Sequence, residues 1–480
     1  MNYRMIRNIL GWLLVFECGF MLVPAVTALV YRESQVVYFL LTMVLCGGIG
    51  GLLVYRKPQN SVLYAREGFI IVALSWMVLS LFGALPFFLS GCIPNYVDAL
   101  FETVSGFTTT GASILSDVES LPRCMLIWRS FTHWVGGMGV LVFMMAFIPL
   151  SGGQNMHIMK AESPGPSVSK LVPRVKTTAL ILYSIYLVMT LVMFILLLFG
   201  RMSPFAAINT AFGTAGTGGF GLKNDSIASY SPYIQNVCTT FMLLFGVNFG
   251  CYYLLLLKQV RGVLRDEELR LYLGLVFGSI LLITLNIRGM YGTIWESLRH
   301  AAFQVSSIIT TTGFSTVDFD LWPAFSKGIL LILMLIGACA GSTGGGLKCA
   351  RLLLILKGVK RNLAQMIHPQ RVQVIRVNEK AVSEKVLANT NAYLCAYTLI
   401  MVISVLVVSL DGFSVITNAS AVIACFNNIG PGLDAVGPAC NFSDYGVLSK
   451  LVLILDMLAG RLEIFPILAL FSVSTWKRTS

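Results

Sequence analysis

Thr108-Thr109-Thr110-Gly111-Ala112-Ser113 reads TTTGAS, and 202 residues later Thr310 to Ser315 reads TTTGFS, nearly the same string. Two further glycine-centred segments, GTGGFG from Gly216 to Gly221 and NNIGPG from Asn427 to Gly432, also sit between hydrophobic, helix-length stretches. The equivalent glycines, Gly111, Gly219, Gly313 and Gly430, lie 108, 94 and 117 residues apart. An irregular Gly/Thr-rich segment is costly at membrane depth unless its backbone lines a wet path. Four of them in one chain predict four walls of one pore, with carbonyl oxygens standing in for the water around a cation.

Composition places these segments in a membrane. The chain has 480 residues, of which 56% are hydrophobic and 12% charged, with a mean hydropathy of +0.79. A soluble domain carries about 25% charged residues. Two spans open the chain, at 6–31 and 36–55. The first follows Arg4 and Arg7 but is too long for a signal peptide and lacks a clear cleavage site, so it is expected to be retained. A four-part pattern then recurs: a long apolar span, a short stretch, the glycine-centred segment and another long span. The copies are 69–91, 97–108, 109–113 and 125–149; 177–200, 204–215, 216–221 and 233–257; 269–290, 294–309, 310–315 and 325–357; and 386–410, 414–426, 427–432 and 446–473. Stretches of 10–14 residues are too short to cross but suit a re-entrant helix. The expected fold is an all-α membrane protein of ten transmembrane helices plus four re-entrant pore helices, four pseudo-repeats around one pore. The divisions are 1–67 for the opening spans, then 68–160, 161–262, 263–362 and 363–480 for the repeats.

Charge gives an independent count. Basic residues gather at Arg4/Arg7, Arg56/Lys57/Arg66, Lys160/Lys170/Arg174/Lys176, Lys258/Arg261/Arg265/Arg270, Lys348 to Lys385 and Lys477/Arg478. All fall on one side if each repeat crosses out, dips back and crosses in, which makes that side, and both termini, cytoplasmic. The net charge of +12 is therefore read as membrane topology, with lipid and not nucleic acid as the surrounding partner. The opposite side carries Asp98, Glu102, Asp117, Glu119, Asp225, Asp318, Asp320, Asp434 and Asp444, against the exceptions Arg123, Arg129, Arg201, Lys223, Arg288, Arg299 and Lys327. Its acids either concentrate cations at the mouth or are ordinary solvated loop residues. The eleven cysteines show no paired spacing and read as small core residues; Cys92 and Cys440, both expected on the outer side, leave one bridge open.

The ion-facing backbone is assigned to Thr109-Thr110-Gly111, Thr217-Gly218-Gly219, Thr311-Thr312-Gly313 and Asn428-Ile429-Gly430. Glycine permits backbone angles that let successive carbonyls face one way, and each preceding half-helix aims its partially negative C-terminus at the cavity. Within the third closing span, Gly341-Ser342-Thr343-Gly344-Gly345-Gly346-Leu347-Lys348 should break the helix. Free backbone at that depth lines water or is buried in protein. The stretch is not a phosphate loop, because Leu347 separates Gly346 from Lys348 and no Ser or Thr follows. Lys348 has the option of snorkelling to the cytoplasmic surface. Arg461 is ionisable inside the last span and so a functional candidate. It either holds backbone carbonyls or blocks cations as a fixed charge, or it pairs with Asp456 or Glu463. His133 is a packed polar residue or part of a proton-linked step. No catalytic set and no organic cofactor fingerprint stands out, so an enzyme is not expected. The basic segment Arg351 to Lys385 reads as the largest cytosolic loop, carrying positive-inside charge, a docking surface, or both.

On TTTGAS at 108–113, WVGGMGV at 134–140, TTTGFST at 310–316, CAGSTGGGLK at 339–348, NNIGPGL at 427–433 and GRLE at 460–463, the chain resembles the Trk/Ktr/HKT superfamily of potassium transporters. The two extra opening spans resemble its TrkH/TrkG type. The resemblance covers essentially the whole chain. It implies potassium as the transported ion, a bacterial inner-membrane homodimer with one pseudo-fourfold pore per protomer, and a cytosolic TrkA-type nucleotide-binding regulatory subunit. The stretch at 340–348 is similar to the family's intramembrane loop plugging the pore below the filter, with a static packing kink as the alternative. Each copy keeps one shared glycine where tetrameric channels have TVGYG, so potassium is expected to be preferred and not exclusive. Proton- or sodium-coupled symport, a broader monovalent-cation pathway, and a sensor or scaffold without flux are the competing readings.

Overall fold

The computed structural model describes residues 1–56, 64–139, 175–370 and 373–476. Expectations placed on Lys57, 140–149, His157, Lys160, Lys170, Arg174, Lys477 and Arg478 lie outside the described residues. Six described helices are long and apolar enough to cross a membrane: Tyr3–Tyr31, Val36–Tyr55, Arg66–Leu89, Thr177–Phe199, Glu267–Ile287 and Glu384–Asp411. They are the two opening spans and the first span of each repeat. Their outward faces expose Val44, Leu191, Phe277 and Leu406, side chains that only lipid leaves at no cost. The chain is a multi-pass membrane protein. The two opening helices cross where Gly11 and Gly50 meet, each so close to the other's carbonyl that an added Cβ would lie 2.8–3.0 Å from it. Small residues at such crossings let membrane helices approach for dispersion contact.

The four short helices fall where the pattern places them, at Tyr96–Phe107, Pro204–Ala215, Ile294–Ile309 and Val415–Phe426. Each starts on a side-chain cap: Asn95 accepts from Val97 N–H at 2.8 Å, Ser203 from Ala206 at 3.3 Å, Thr293 from Glu296 at 3.2 Å and Ser414 from Thr417 at 3.1 Å. Such caps satisfy donors that no earlier turn reaches, so a helix of 12 residues stands inside the protein.

Two of the closing spans, the second and the fourth, differ from the reading of unbroken helices. Pro232–Phe245 and Phe249–Leu256 meet at 89°, and Val447–Arg461 stops at Leu462 before Phe465–Phe471; the third span breaks where its glycine run was expected to break it, with twelve residues between Ala324–Ile336 and Cys349–Ile367. The first closing helix, Arg123–Gly137, also ends at a glycine run. Hydropathy does not register these breaks because the apolar run continues across them. Contact with the short helices sets where they fall. A Cβ on Gly136 would stand 1.9 Å from Phe107 O, and one on Gly460 1.8 Å from Phe426 O.

Among the described residues, the basic segment after Lys348, expected to be a loop, is largely regular structure. Its first part is the helix Cys349–Ile367, followed by a two-stranded hairpin pairing Arg376–Val377 with Lys380–Ala381. The turn residues Asn378 and Glu379 both take positive φ, 49° and 65°, as a tight two-residue hairpin turn requires. Cys92 and Cys440 are free thiols, so the bridge left open between them is not formed.

Candidate functional site

All four short helices end the same way. Thr109, Thr217, Thr311 and Asn428 have φ of 58°, 54°, 57° and 56°. The next residue's N–H reaches back five positions: Thr110 to Ser105 O, Gly218 to Gly213 O and Thr312 to Ser307 O at 2.8 Å, and Ile429 to Ala424 O at 2.9 Å. This is the Schellman ending, whose left-handed position normally holds glycine. A β-branched threonine there costs of order 1–3 kcal/mol, which the surrounding contacts must offset. Repeats 1 and 3 match in detail, since Thr108 and Thr310 donate to Val104 O and Ser306 O at 2.6 Å and pair with the hydroxyls of Thr110 and Thr312 at 2.8 Å.

Two residues on, Gly111, Gly219, Gly313 and Gly430 have φ of 80°, 79°, 84° and 99°. A Cβ on Gly111 would sit 2.0 Å from Gly218 O, one on Gly219 2.0 Å from Thr312 O, one on Gly313 2.1 Å from Ile429 O, and one on Gly430 2.9 Å from Thr110 O. Each repeat therefore leans on the carbonyl of the next and the fourth on the first, so the segments close into a ring. All four glycines line a cavity of about 180 Å³ that opens among the outer loops. At its rim Asp117 is held below the usual aspartate pKa by a hydrogen bond from Asn224, and Asp434 by the hydroxyls of Ser414 and Thr417. Both stay anionic at neutral pH. Asp98 and Asp320 are taken up by Lys450 at 2.7 Å and Lys327 at 3.4 Å.

Glu102 belongs to neither loop nor solvent. It lies in the first pore helix and meets Arg129 at 2.7 Å, both side chains almost wholly enclosed. Its carboxylate also accepts from Ser113 Oγ and Ile114 N–H at 3.0 Å, while Arg129 lies 4.0 Å above the Phe220 ring. The pair ties the backbone after the first ring segment to that after the second. Glu102→Gln should leave Arg129 a buried cation without its anion and destabilise the protein by about 3–5 kcal/mol, read as a clear drop in melting temperature of the detergent-solubilised protein. His133 does similar work. Its Nδ1 lies 2.7 Å from Gly106 O and its Nε2 accepts from Phe220 N–H at 3.3 Å. Both ring nitrogens are occupied by backbone, so His133 is a packed polar residue joining the first pore helix to the second segment.

Below the ring lies the excursion between Ile336 and Cys349. Gly345 N–H donates to Thr311 Oγ1 at 2.6 Å, directly beneath the third segment. A Cβ on Gly344 would stand 2.8 Å from Thr310 O and one on Gly345 2.3 Å from Asn427 O, so the loop presses on two pore-helix ends. Gly341 O accepts from Phe249 N–H at 3.0 Å, Ser342 Oγ donates to Cys339 O at 2.6 Å, and Gly346 has φ 78°. Lys348 does not snorkel. It is 1% exposed and its Nζ turns inward to Gly344 O. Arg461 Nη1 donates to Thr343 O at 2.9 Å, and Nη2 to Gly136 O at 2.5 Å and Gly137 O at 2.7 Å. Glu463 pairs with Arg351 and Asp456 accepts from Ser404 at 2.8 Å.

Sequence reading missed the Glu102–Arg129 pair, the backbone bonds of His133, and Asn428 Nδ2, which donates to both Thr110 Oγ1 and Met457 O at 2.9 Å. A carboxylate six residues before TTTG and an arginine in the following span were the available signals for the first. No group of His, Cys, Asp and Glu fit for a metal occurs among the described residues; what the site offers a cation is backbone carbonyl.

Residues 35–477 match the TrkH family, described as a cation transport protein. The Trk system potassium uptake protein TrkH of Escherichia coli K12 is 38% identical over 99% of this chain and 100% of its own length. TrkG of the same strain is 34% identical over 99% of both. The crystal structure of the potassium transporter TrkH from Vibrio parahaemolyticus superposes with a TM-score of 0.89 at 34% identity, covering 99% of this chain and 100% of that one. The chain belongs to the TrkH family of cation transport proteins and is no enzyme.

Proposed function

We propose that this protein takes up potassium across the bacterial inner membrane through a gated, channel-like pore. The selectivity filter is the ring of Thr109-Thr110-Gly111, Thr217-Gly218-Gly219, Thr311-Thr312-Gly313 and Asn428-Ile429-Gly430. The gate comprises Gly341, Ser342, Thr343, Gly344, Gly345 and Gly346 with Lys348 and Arg461. The observation that carries the reading is the cyclic closure of four carbonyl-bearing segments, each at the C-terminal, partially negative end of a pore helix. The loop under the ring, bonded to Thr311 and to Arg461, supports a closed state. The relatives above are named for potassium uptake or transport. The full arrangement has ten crossings, four re-entrant helices and both termini in the cytoplasm. It assembles as a homodimer in lipid and is regulated by a cytosolic TrkA-type nucleotide-binding subunit.

Potassium flux into liposomes reconstituted with the purified chain, with and without that subunit, tests the reading. Passive flux down a potassium gradient is expected, larger after deletion of Gly344 to Gly346. No flux under either condition sinks it. Flux that needs a proton or sodium gradient replaces the channel by a coupled symporter.

A further inference from the structure

The loop beneath the ring is held at its base by a carboxylate from the first span of its own repeat. Glu268 is the second residue of the helix Glu267–Ile287 and is 9% exposed. It accepts from Ala340 N–H at 2.6 Å, at the upstream end of the loop. The backbone N–H of Ala350, at the downstream end, faces the same carboxylate. One side chain thus fastens the upstream end of the excursion and stands against its downstream end. Backbone bonds close the same base, from Lys348 N–H to Ile336 O at 2.8 Å and from Cys349 N–H to Ala338 O at 3.0 Å. An acceptor side chain suits the position, because it receives a buried backbone donor. A side chain without an acceptor would leave the Ala340 N–H buried and unpaired.

The same helical turn is gripped from the cytosolic side. Asn378, in the hairpin turn, donates to Asp266 at 2.7 Å and accepts from Glu267 N–H at 2.9 Å. Lys357 reaches Glu267 and, at 2.6 Å, the Arg376 carbonyl. Three consecutive acids therefore face two ways: Asp266 and Glu267 to the hairpin and the helix Cys349–Ile367, and Glu268 to the loop. A displacement of the hairpin tip moves the turn on which Glu268 stands.

We infer that Glu268 is a positioning residue for the gate, and that the 376–381 hairpin acts on the loop through it. This rests on the gate reading given above. The test is partner-free potassium flux through the full-length protein in liposomes, with the Gly344 to Gly346 deletion alongside. Glu268→Ala should raise flux about tenfold, the order expected when a buried donor loses its acceptor in one state of a two-state loop. Glu268→Gln keeps one acceptor oxygen and should raise flux less. In both, the potassium-to-sodium ratio should stay at the parent value, which general loosening of the protein would not preserve. Asn378→Ala should move flux in the same direction, and no change there removes the hairpin from the device. Parent-level flux in Glu268→Ala while the deletion raises flux overturns the role of Glu268 and leaves the gate standing; if the deletion also changes nothing, the gate reading itself fails. A lowered ion ratio in Glu268→Ala likewise overturns positioning. Should the alanine variant not assemble, the glutamine variant decides by the same criteria.

Discussion

Gly313→Ser should erase most of the preference for potassium over sodium while leaving a conducting protein. Gly313 has φ 84°, a region where an L-residue costs roughly 1–2 kcal/mol. Its new Cβ would also stand 2.1 Å from Ile429 O, far inside any contact distance, so either the third or the fourth carbonyl must leave the ring. Every 1.4 kcal/mol of lost discrimination is about a tenfold change in preference, and a displaced ligand is expected to remove at least that. Gly91→Ser is the control. Gly91 has φ 73° but nothing within 4 Å of its Cβ position, so it carries the strain without the collision and should leave ion preference alone. Currents in potassium, rubidium, sodium and ammonium check both, and an unchanged series for Gly313→Ser would remove the ring from the assigned filter.

Arg461→Ala is the second change with a large expected effect: partner-free flux should rise by about tenfold or more. The guanidinium joins Thr343 O in the loop to Gly136 O and Gly137 O at the break of the first closing helix. Hydrogen bonds from a charged donor contribute about 1.5–3 kcal/mol each, so their loss frees the loop from the opposite wall. Arg461→Lys separates hydrogen bonding from charge. Lysine keeps the cation without the planar fork that serves three carbonyls, so raised flux in both variants identifies a latch. Raised flux in Arg461→Ala alone would mean that a fixed charge bars cations from the pathway.

The ring was legible because chemistry and spacing agreed. A left-handed residue, one ordinary residue and a positive-φ glycine recur at the end of each short helix, and such a conformation restricts composition enough to leave TTTG twice. The divergent second and fourth copies kept the geometry with other residues, as Asn428 shows in place of threonine. The bend in the second closing span was hidden because Leu and Phe continue on both sides of Gly246 and Val247, and the 89° bend is set by what the helix packs against. Glu102 was misread for a related reason. Its helix points into protein, and only the partner Arg129, 27 residues on, shows that its charge is enclosed. Lys348 looked free to snorkel because sequence shows the length of the side chain and not that the loop turns it inward. The hairpin went unread since Asn378-Glu379 lacks the Asn-Gly signature that marks such turns.

The ring closes in the order in which the chain is made, each glycine resting on a carbonyl from the following repeat and the last on the first. In a channel built from four identical subunits, one codon change alters every quarter of the filter at once. Here each quarter has its own codon, and neighbours remain intact when one varies. In the proposed filter, ion preference is thereby open to adjustment one wall at a time.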